Sequence, residues 1–372
     1  MLNTKYITLA LMKNYLKIAL QEQQSEAQPF YSSKSENFSI PISGCISTHK
    51  EWKNNISAAQ SYGDKPHMED SVDVHFIPMW DNPSDINQLS TLLYFSIYLL
   101  GDLFFFYDTG STFLCAMHYK DKCLIGNLGD SRALLIRKKM DGYKAFRLNQ
   151  THRRGNLYEK IRIEKEFAKW GNKNLEYTYV YRGLGGFDYC PLICYEPEIS
   201  YFRLHQNELN STILLCTDGV SNALNEAEIK LMFTNIESIT PDIINNYAYN
   251  SFKLLNREAD NISSLLYNPQ ISNSEITLAC VADGVGDQAV AELSTQLLPK
   301  LVHPNILSAT KEFVSWREIY NRSKSDIGAN DILDMKDYAK KIIQQFLSSN
   351  DSISDLLDTW LEKKKQYCKR PL

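Results

Sequence analysis

Apolar positions change their period along the chain, and the change separates sheet from helix. Three short runs, "TFLCAMHY", "CLIGNL" and "RALLI", are divided by polar turns at Lys120-Asp121-Lys122 and Gly129-Asp130-Ser131. Strands this close in sequence predict an antiparallel meander. The run "STILLCTDG" is apolar without alternation until it meets Asp218-Gly219, which predicts a central strand buried on both faces. "ITLACVADGVGDQAVAELSTQLL", beginning at Ile276, reads as a buried strand, an acidic glycine turn and an amphipathic helix.

Helical spacing appears elsewhere. From Asn156 to Trp170, Asn156 and Glu159 have capping-box spacing, Ile163, Phe167 and Trp170 share a face, and Gly171 can end the helix. "ALNEAEIKLMF" is helical as well. Beyond Asp287 the pattern is almost wholly helical, with apolar faces at Val290, Leu293 and Leu297, at Phe313, Trp316 and Tyr320, at Tyr338, Ile342 and Phe346, and at Leu357, Trp360 and Leu361. "LLYFSIYLLGDLFFFY", Leu92 to Tyr107, predicts a buried helix, a break at Gly101-Asp102 and a short strand. It falls short of the roughly 20 residues of a bilayer span. Sheet first and helix last, with no Pro/Gly/Ser linker between, predicts an α+β fold whose helices cover its sheets. Residues 1–45 read as an N-terminal extension with an amphipathic stretch interrupted by Lys13 and Lys17, and 46–372 as the domain.

Composition narrows the function. Hydrophobic residues make up 44% and charged residues 23%, and the net charge of -4 leaves no basic excess for nucleic acid. The eight cysteines form no CxxC pair, so neither a disulfide frame nor a zinc site is expected, and a reducing, intracellular, cytoplasmic setting is. No stable membrane insertion is expected, and oligomeric state is left open.

Five acidic spots end apolar runs at tight turns: Glu69-Asp70, Asp130, Asp218, Asp260 and Asp283. A lone turn aspartate needs no explanation, since it can bond its own backbone. Five carboxylates drawn together repel unless cations lie between them. Hard oxygen ligands without a His or Cys cluster select Mg²⁺ or Mn²⁺, and two such ions suit hydrolysis of a phosphate ester.

The motifs "GDKPHMED", "GSTFLCAMHYKDKCLIGNLGDSRALLI", "YRGLGGFDY", "EPEIS", "LLCTDGVSNALNEAEI" and "ADNISSLL" resemble, in order, those of the metal-dependent serine/threonine protein phosphatases of type 2C. The resemblance covers most of residues 55 to 270. It implies a two-sheet antiparallel β-sandwich flanked by α-helices, two or more Mn²⁺ or Mg²⁺ ions, and phosphoprotein substrates. It implies Asp70 as the bridging ligand, Glu69 as a water-mediated contact, Asp218 and Asp260 on one metal, and Asp130 near a further, weaker one.

That family carries a DGHGG turn soon after its MED motif, followed by two covering helices. Here 41 residues separate Asp70 from Ser111, too few for that insertion. "VADGVGDQAVAELSTQLL" resembles the absent piece, displaced beyond the "DNIS" strand. The segment order is therefore expected to be rearranged, with Asp283 and the Gly284 carbonyl completing the site and 276–372 supplying the covering helices. Two other readings stand beside this one: Asp81 of "MWDNPSD" as an in-place ligand, or 275–372 as the remnant of a second unit.

Three departures bear on activity. Lys65 replaces a phosphate-binding arginine, keeping the charge but losing the bidentate fork. Val285 stands at the DGHGG histidine, with His67 a substitute proton donor to test. Gly185-Gly186 replaces a Gly-Asp, leaving Asp188 to compensate and Arg182 either structural or phosphate-facing. The expected function is metal-dependent hydrolysis of phosphoserine and phosphothreonine in proteins, with Asp70, Asp218 and Asp283 central; the alternative is a pseudophosphatase acting as an interaction module.

Overall fold

The computed structural model describes residues 47–53, 56–78, 85–153, 155–170, 180–187, 193–204, 211–269, 275–303, 306, 315–322, 329–348 and 353–368. The N-terminal extension, Asp81 and Asp188 lie outside them. The strands β1 (Ser47–Trp52), β2 (Ile56–Ser61) and β3 (Ser71–Pro78) precede helix α1 (Ile86–Phe104). Then come β4 (Gly110–Ser111), β5 (Phe113–Tyr119), β6 (Lys122–Leu128), β7 (Arg132–Lys139), β8 (Gly142–Arg147), α2 (Leu157–Trp170), β9 (Leu184–Gly185), β10 (Glu198–Arg203) and β11 (Ser211–Cys216). The short α3 (Asp218–Ser221) leads to α4 (Glu226–Asn235), α5 (Pro241–Leu254), β12 (Ile262–Tyr267), β13 (Glu275–Ala282) and β14 (Gly284–Val285). Helices α6 (Ala289–Leu301), α7 (Trp316–Arg322), α8 (Ala329–Ser348) and α9 (Ile353–Cys368) follow.

Two antiparallel sheets face each other. One has the order β1-β2-β12-β11-β7-β8, the other β10-β6-β5-β13-β3, and β14-β4-β9 form a small ribbon. The strands alternate between two apolar environments, as the pleat requires. On β11, Ile213 and Leu215 point into the core between the sheets with Leu114, Ala116, Ala279 and Val281. Leu214 and Cys216 point outward to α4 and α5. The outer face of the second sheet is covered by α1 and by α6 to α9. The result is four layers, helix on sheet on sheet on helix. Among the described residues, Cys115, Cys123, Cys194, Cys216 and Cys280 are buried free thiols, and no helix is long and apolar enough to cross a membrane.

Two expectations are corrected. The three-strand meander is split: β5 and β6 pair with each other, but β7 belongs to the facing sheet. The chain changes sheets at Gly129, whose φ of +118° favours glycine. From there Ala133 and Leu135 enter the inter-sheet core while Leu134 and Ile136 face the helices. Second, α1 runs unbroken through Gly101-Asp102 to Phe104, and Phe105 and Phe106 form a turn instead of the expected strand. Gly101 lets the helix approach Tyr195, since a Cβ there would stand 2.4 Å from the tyrosine Cβ. Asp102, fully buried, accepts from the Tyr195 hydroxyl at 3.2 Å, the Trp316 amide at 2.7 Å and the Trp360 indole at 3.0 Å, and pairs with Lys364. A carboxylate inside an apolar helix thus ties α1 to α7 and α9.

Candidate metal centre

Strand register brings the acidic turns together. β13 lies between β3 and β5, and its ladder with β3 ends at Ala282 opposite Ser71. One step further, Asp283 stands across from Asp70. The next step is also bonded, with the Gly284 amide donating to the Glu69 carbonyl at 3.1 Å, while the Thr112 amide on the other side donates to the Asp283 carbonyl at 2.9 Å. Gly284 is required by this approach: a Cβ would fall 2.4 Å from the Glu69 oxygen and 2.6 Å from that of Asp287. On the facing sheet the ladder of β7 with β11 ends at Arg132 opposite Cys216. Continued two steps, it sets Asp130 across from Asp218.

Carboxylate oxygens of Asp130, Asp218 and Asp283 lie within 4.8 Å of one another, a spacing that one cation can span. Asp70 is fully buried. Its Oδ2 accepts from the Thr217 hydroxyl at 3.0 Å, whereas its Oδ1 and the Oδ1 of Asp130 have no donor in hydrogen-bond geometry among the described residues. Buried acceptors without partners are costly, and a cation satisfies them. Burial pushes the Asp70 carboxyl up to about 7, against the pull of the nearby Ser263 and Thr217 hydroxyls and with the charges of Asp218 and Asp260 adding to it. Burial also raises Asp218 to about 6, helped by Asp130 and Asp260 and opposed by Arg153. Asp283 is raised by burial and then by Asp70, Asp218, Asp130 and Asp260. Carboxyls that prefer to stay neutral when together are what a site looks like when its charge is meant to be balanced from outside. An all-oxygen set fits Mg²⁺ or Mn²⁺.

The remaining expected residues surround this cluster. Asp260 is half-exposed and takes the Lys65 ammonium at 3.4 Å. The charge of Asp260 raises the Lys65 pKa, with smaller help from Glu69 and Glu258. Asn261 staples the loop carrying Glu69 and Asp70: its side chain accepts from the Glu69 amide at 2.7 Å and donates to the Tyr62 and His67 carbonyls, each at 3.0 Å. His67 and Val285 are exposed. Arg182 is partly buried against Glu159, its Nε donating at 2.8 Å, with Nη1 donating to the Glu196 carbonyl at 2.9 Å. Its role is structural, and it draws Glu159 away from the reciprocal half of the capping box.

Arg153 escaped the sequence reading. Its Nε donates to Asp130 Oδ2 at 2.6 Å, its Nη2 to Asp218 Oδ2 at 3.3 Å and its Nη1 to Asn222 Oδ1 at 2.7 Å. "THRRGN" offers three basic side chains in a turn without saying which one turns inward. The signal that could have found it was the charge balance: five converging acids with Lys65 as the only basic residue assigned to them.

Residues 107–246 match the model of the family "Protein phosphatase 2C". No curated protein matches the chain. Among solved structures, a serine-threonine phosphatase 2C from Toxoplasma gondii is 16% identical with a TM-score of 0.43, covering 63% of this chain and 99% of its own. A sex determining protein of C. elegans is 16% identical at 0.43, covering 68% of each chain. The serine/threonine phosphatase Stp1 from Staphylococcus aureus is 16% identical at 0.42, covering 59% of this chain and 96% of its own.

Proposed function

We propose that this chain, whose residues 107–246 match the protein phosphatase 2C family model, hydrolyses phosphoserine and phosphothreonine in proteins at a site holding two or more Mn²⁺ or Mg²⁺ ions. The convergence of Asp70, Asp130, Asp218 and Asp283, with two buried carboxylate oxygens unpartnered, carries the reading. Ions bound there would supply Lewis acidity, lowering the pKa of a water towards neutrality and offsetting charge on the phosphoryl oxygens.

The chain's own residues do the rest. Asp70, held by the Thr217 hydroxyl, would be a shared ligand of the ions, with Asp283, the Gly284 carbonyl, Asp218 and Asp260 as further ligands. Glu69 would contact the ions through water, and Asp130 would hold a further, weaker ion. Lys65 offers the substrate phosphate a point charge from the rim. The cluster gathers where the ladders of both sheets end. The phosphoprotein enters from the side of exposed Val285 and His67.

A second reading, a pseudophosphatase that binds partners without turnover, is favoured by two observations: Lys65 already leans on Asp260, and Val285 offers no proton to a leaving alcohol. Hydrolysis of p-nitrophenyl phosphate and of a phosphothreonine peptide, with Mn²⁺, Mg²⁺ or EDTA, separates the two. Metal-dependent turnover abolished in both Asp218→Asn and Asp283→Asn supports the phosphatase. Loss in Asp218→Asn alone removes Asp283 from the site. A folded wild type inactive under every metal selects the pseudophosphatase.

A further inference from the structure

We infer that Arg153 is a built-in cation at the Asp130–Asp218 end of the cluster, competing there with a divalent ion and so limiting how many ions the site holds tightly. This rests on the metal-site reading above. The guanidinium spans the two carboxylates whose oxygens, with those of Asp283, define the 4.8 Å group. It takes Asp130 Oδ2 but leaves Oδ1, on a side chain only 4% exposed, without a donor. The end of the site is thus half-neutralised: one fixed positive charge faces two acids, and one buried acceptor remains open.

The position is built, not incidental. The residue before Arg153 is locked to the crossover turn, the His152 amide donating to the Gly129 carbonyl at 2.8 Å and the Gly129 amide to His152 Nδ1 at 3.0 Å. His152 Nε2 also meets Glu198 at 3.1 Å. Arg153 itself bridges to Val180. The side chain therefore leaves the backbone at a fixed point beside Asp130. Among the described residues its outer edge is held by Asn222 alone, which is exposed, and the side chain is 35% exposed. It can swing outward without opening the core, and that makes it a competitor and not a permanent plug. A guanidinium cannot be deprotonated to release the acids, so displacement is its only way out.

Mn²⁺ titration followed by the electron paramagnetic resonance signal of the free ion counts bound ions without reference to activity. Wild type, Arg153→Gln, Arg153→Lys and the double variant Arg153→Gln/Asp130→Asn are compared at pH 8, each checked for folding by circular dichroism. Arg153→Gln is expected to bind one more Mn²⁺ than wild type, or its weakest ion at least about tenfold tighter, because a unit charge in contact with two acids is removed. Arg153→Lys should fall between, and the double variant should return to the wild-type count. Identical counts and affinities in wild type and Arg153→Gln would overturn the inference while leaving the metal site standing. Absence of Mn²⁺ binding in wild type and Arg153→Gln alike would instead overturn the metal-site reading, and this inference with it.

Discussion

Asp70→Asn should make the ion-free protein more stable at pH 8, although it removes a central residue of the proposed site. Asp70 is fully buried, and its carboxyl is raised from 3.8 to about 7. In the native state it therefore holds its proton more tightly than in the unfolded chain. Its contribution is unpenalised below pH 3.8, is lost progressively as pH rises towards 7, and stays lost above. At about 1.36 kcal/mol per unit, the full penalty is about 4 kcal/mol. Asparagine has the same shape, carries no charge, and its oxygen can still accept from Thr217. In EDTA at pH 8 the variant should melt about 5 °C above wild type. At pH 5, where the wild-type group is largely protonated, the gap should shrink to less than half. Mn²⁺ should then reverse the order by stabilising wild type and leaving the variant almost unmoved. The assay is thermal unfolding by circular dichroism across the four conditions. An Asp70→Asn protein no more stable than wild type in EDTA at pH 8, or a gap independent of pH, would refute the reasoning.

Other outcomes follow from the same geometry. Mn²⁺ affinity should fall as pH drops through about 7 and 6, because Asp70 and Asp218 must shed protons to bind it; calorimetric titration in buffers of different ionisation enthalpy measures the protons released. Gly284→Ala places a methyl 2.4 Å from the Glu69 carbonyl, so Mn²⁺ should bind at least about tenfold more weakly while the far-ultraviolet spectrum is retained. Asp102→Ala removes the carboxylate shared by Lys364, Trp360 and Tyr195 and should cost about 3–5 kcal/mol in urea unfolding.

Much of this architecture was legible because burial on two faces leaves a plain mark. The run into Asp218 is a central strand, and the faces of Val290 and Leu297, of Ile342 and Phe346, and of Leu357 and Trp360 are all buried. The acidic turns were legible for the opposite reason, being polar where the pattern demanded apolar. Sheet membership was not. β6 and β7 are separated by an ordinary-looking Gly-Asp-Ser turn, and only the +118° backbone at Gly129 sends them to different sheets. Asp102 was misread because local sequence shows an acid next to a glycine, a turn signal, while its partners come from α7 and α9, more than 200 residues away. Arg153 was hidden for a related reason: which of neighbouring basic side chains faces inward is decided by tertiary contacts.

Finally, the place of β13 has a consequence for synthesis. β3 and β5 are complete by residue 119, yet the strand that joins them ends at Ala282. At translation rates of 5–20 residues per second, the ribosome needs roughly 10–30 s to supply it. Through that interval the growing polypeptide exposes two unpaired sheet edges, the condition that invites a chaperone or a neighbouring chain. The acids from the first 260 residues meanwhile lack Asp283. A product terminated before β13 would therefore keep those edges open and lack Asp283, so closure of the second sheet and gathering of the acidic cluster are one event.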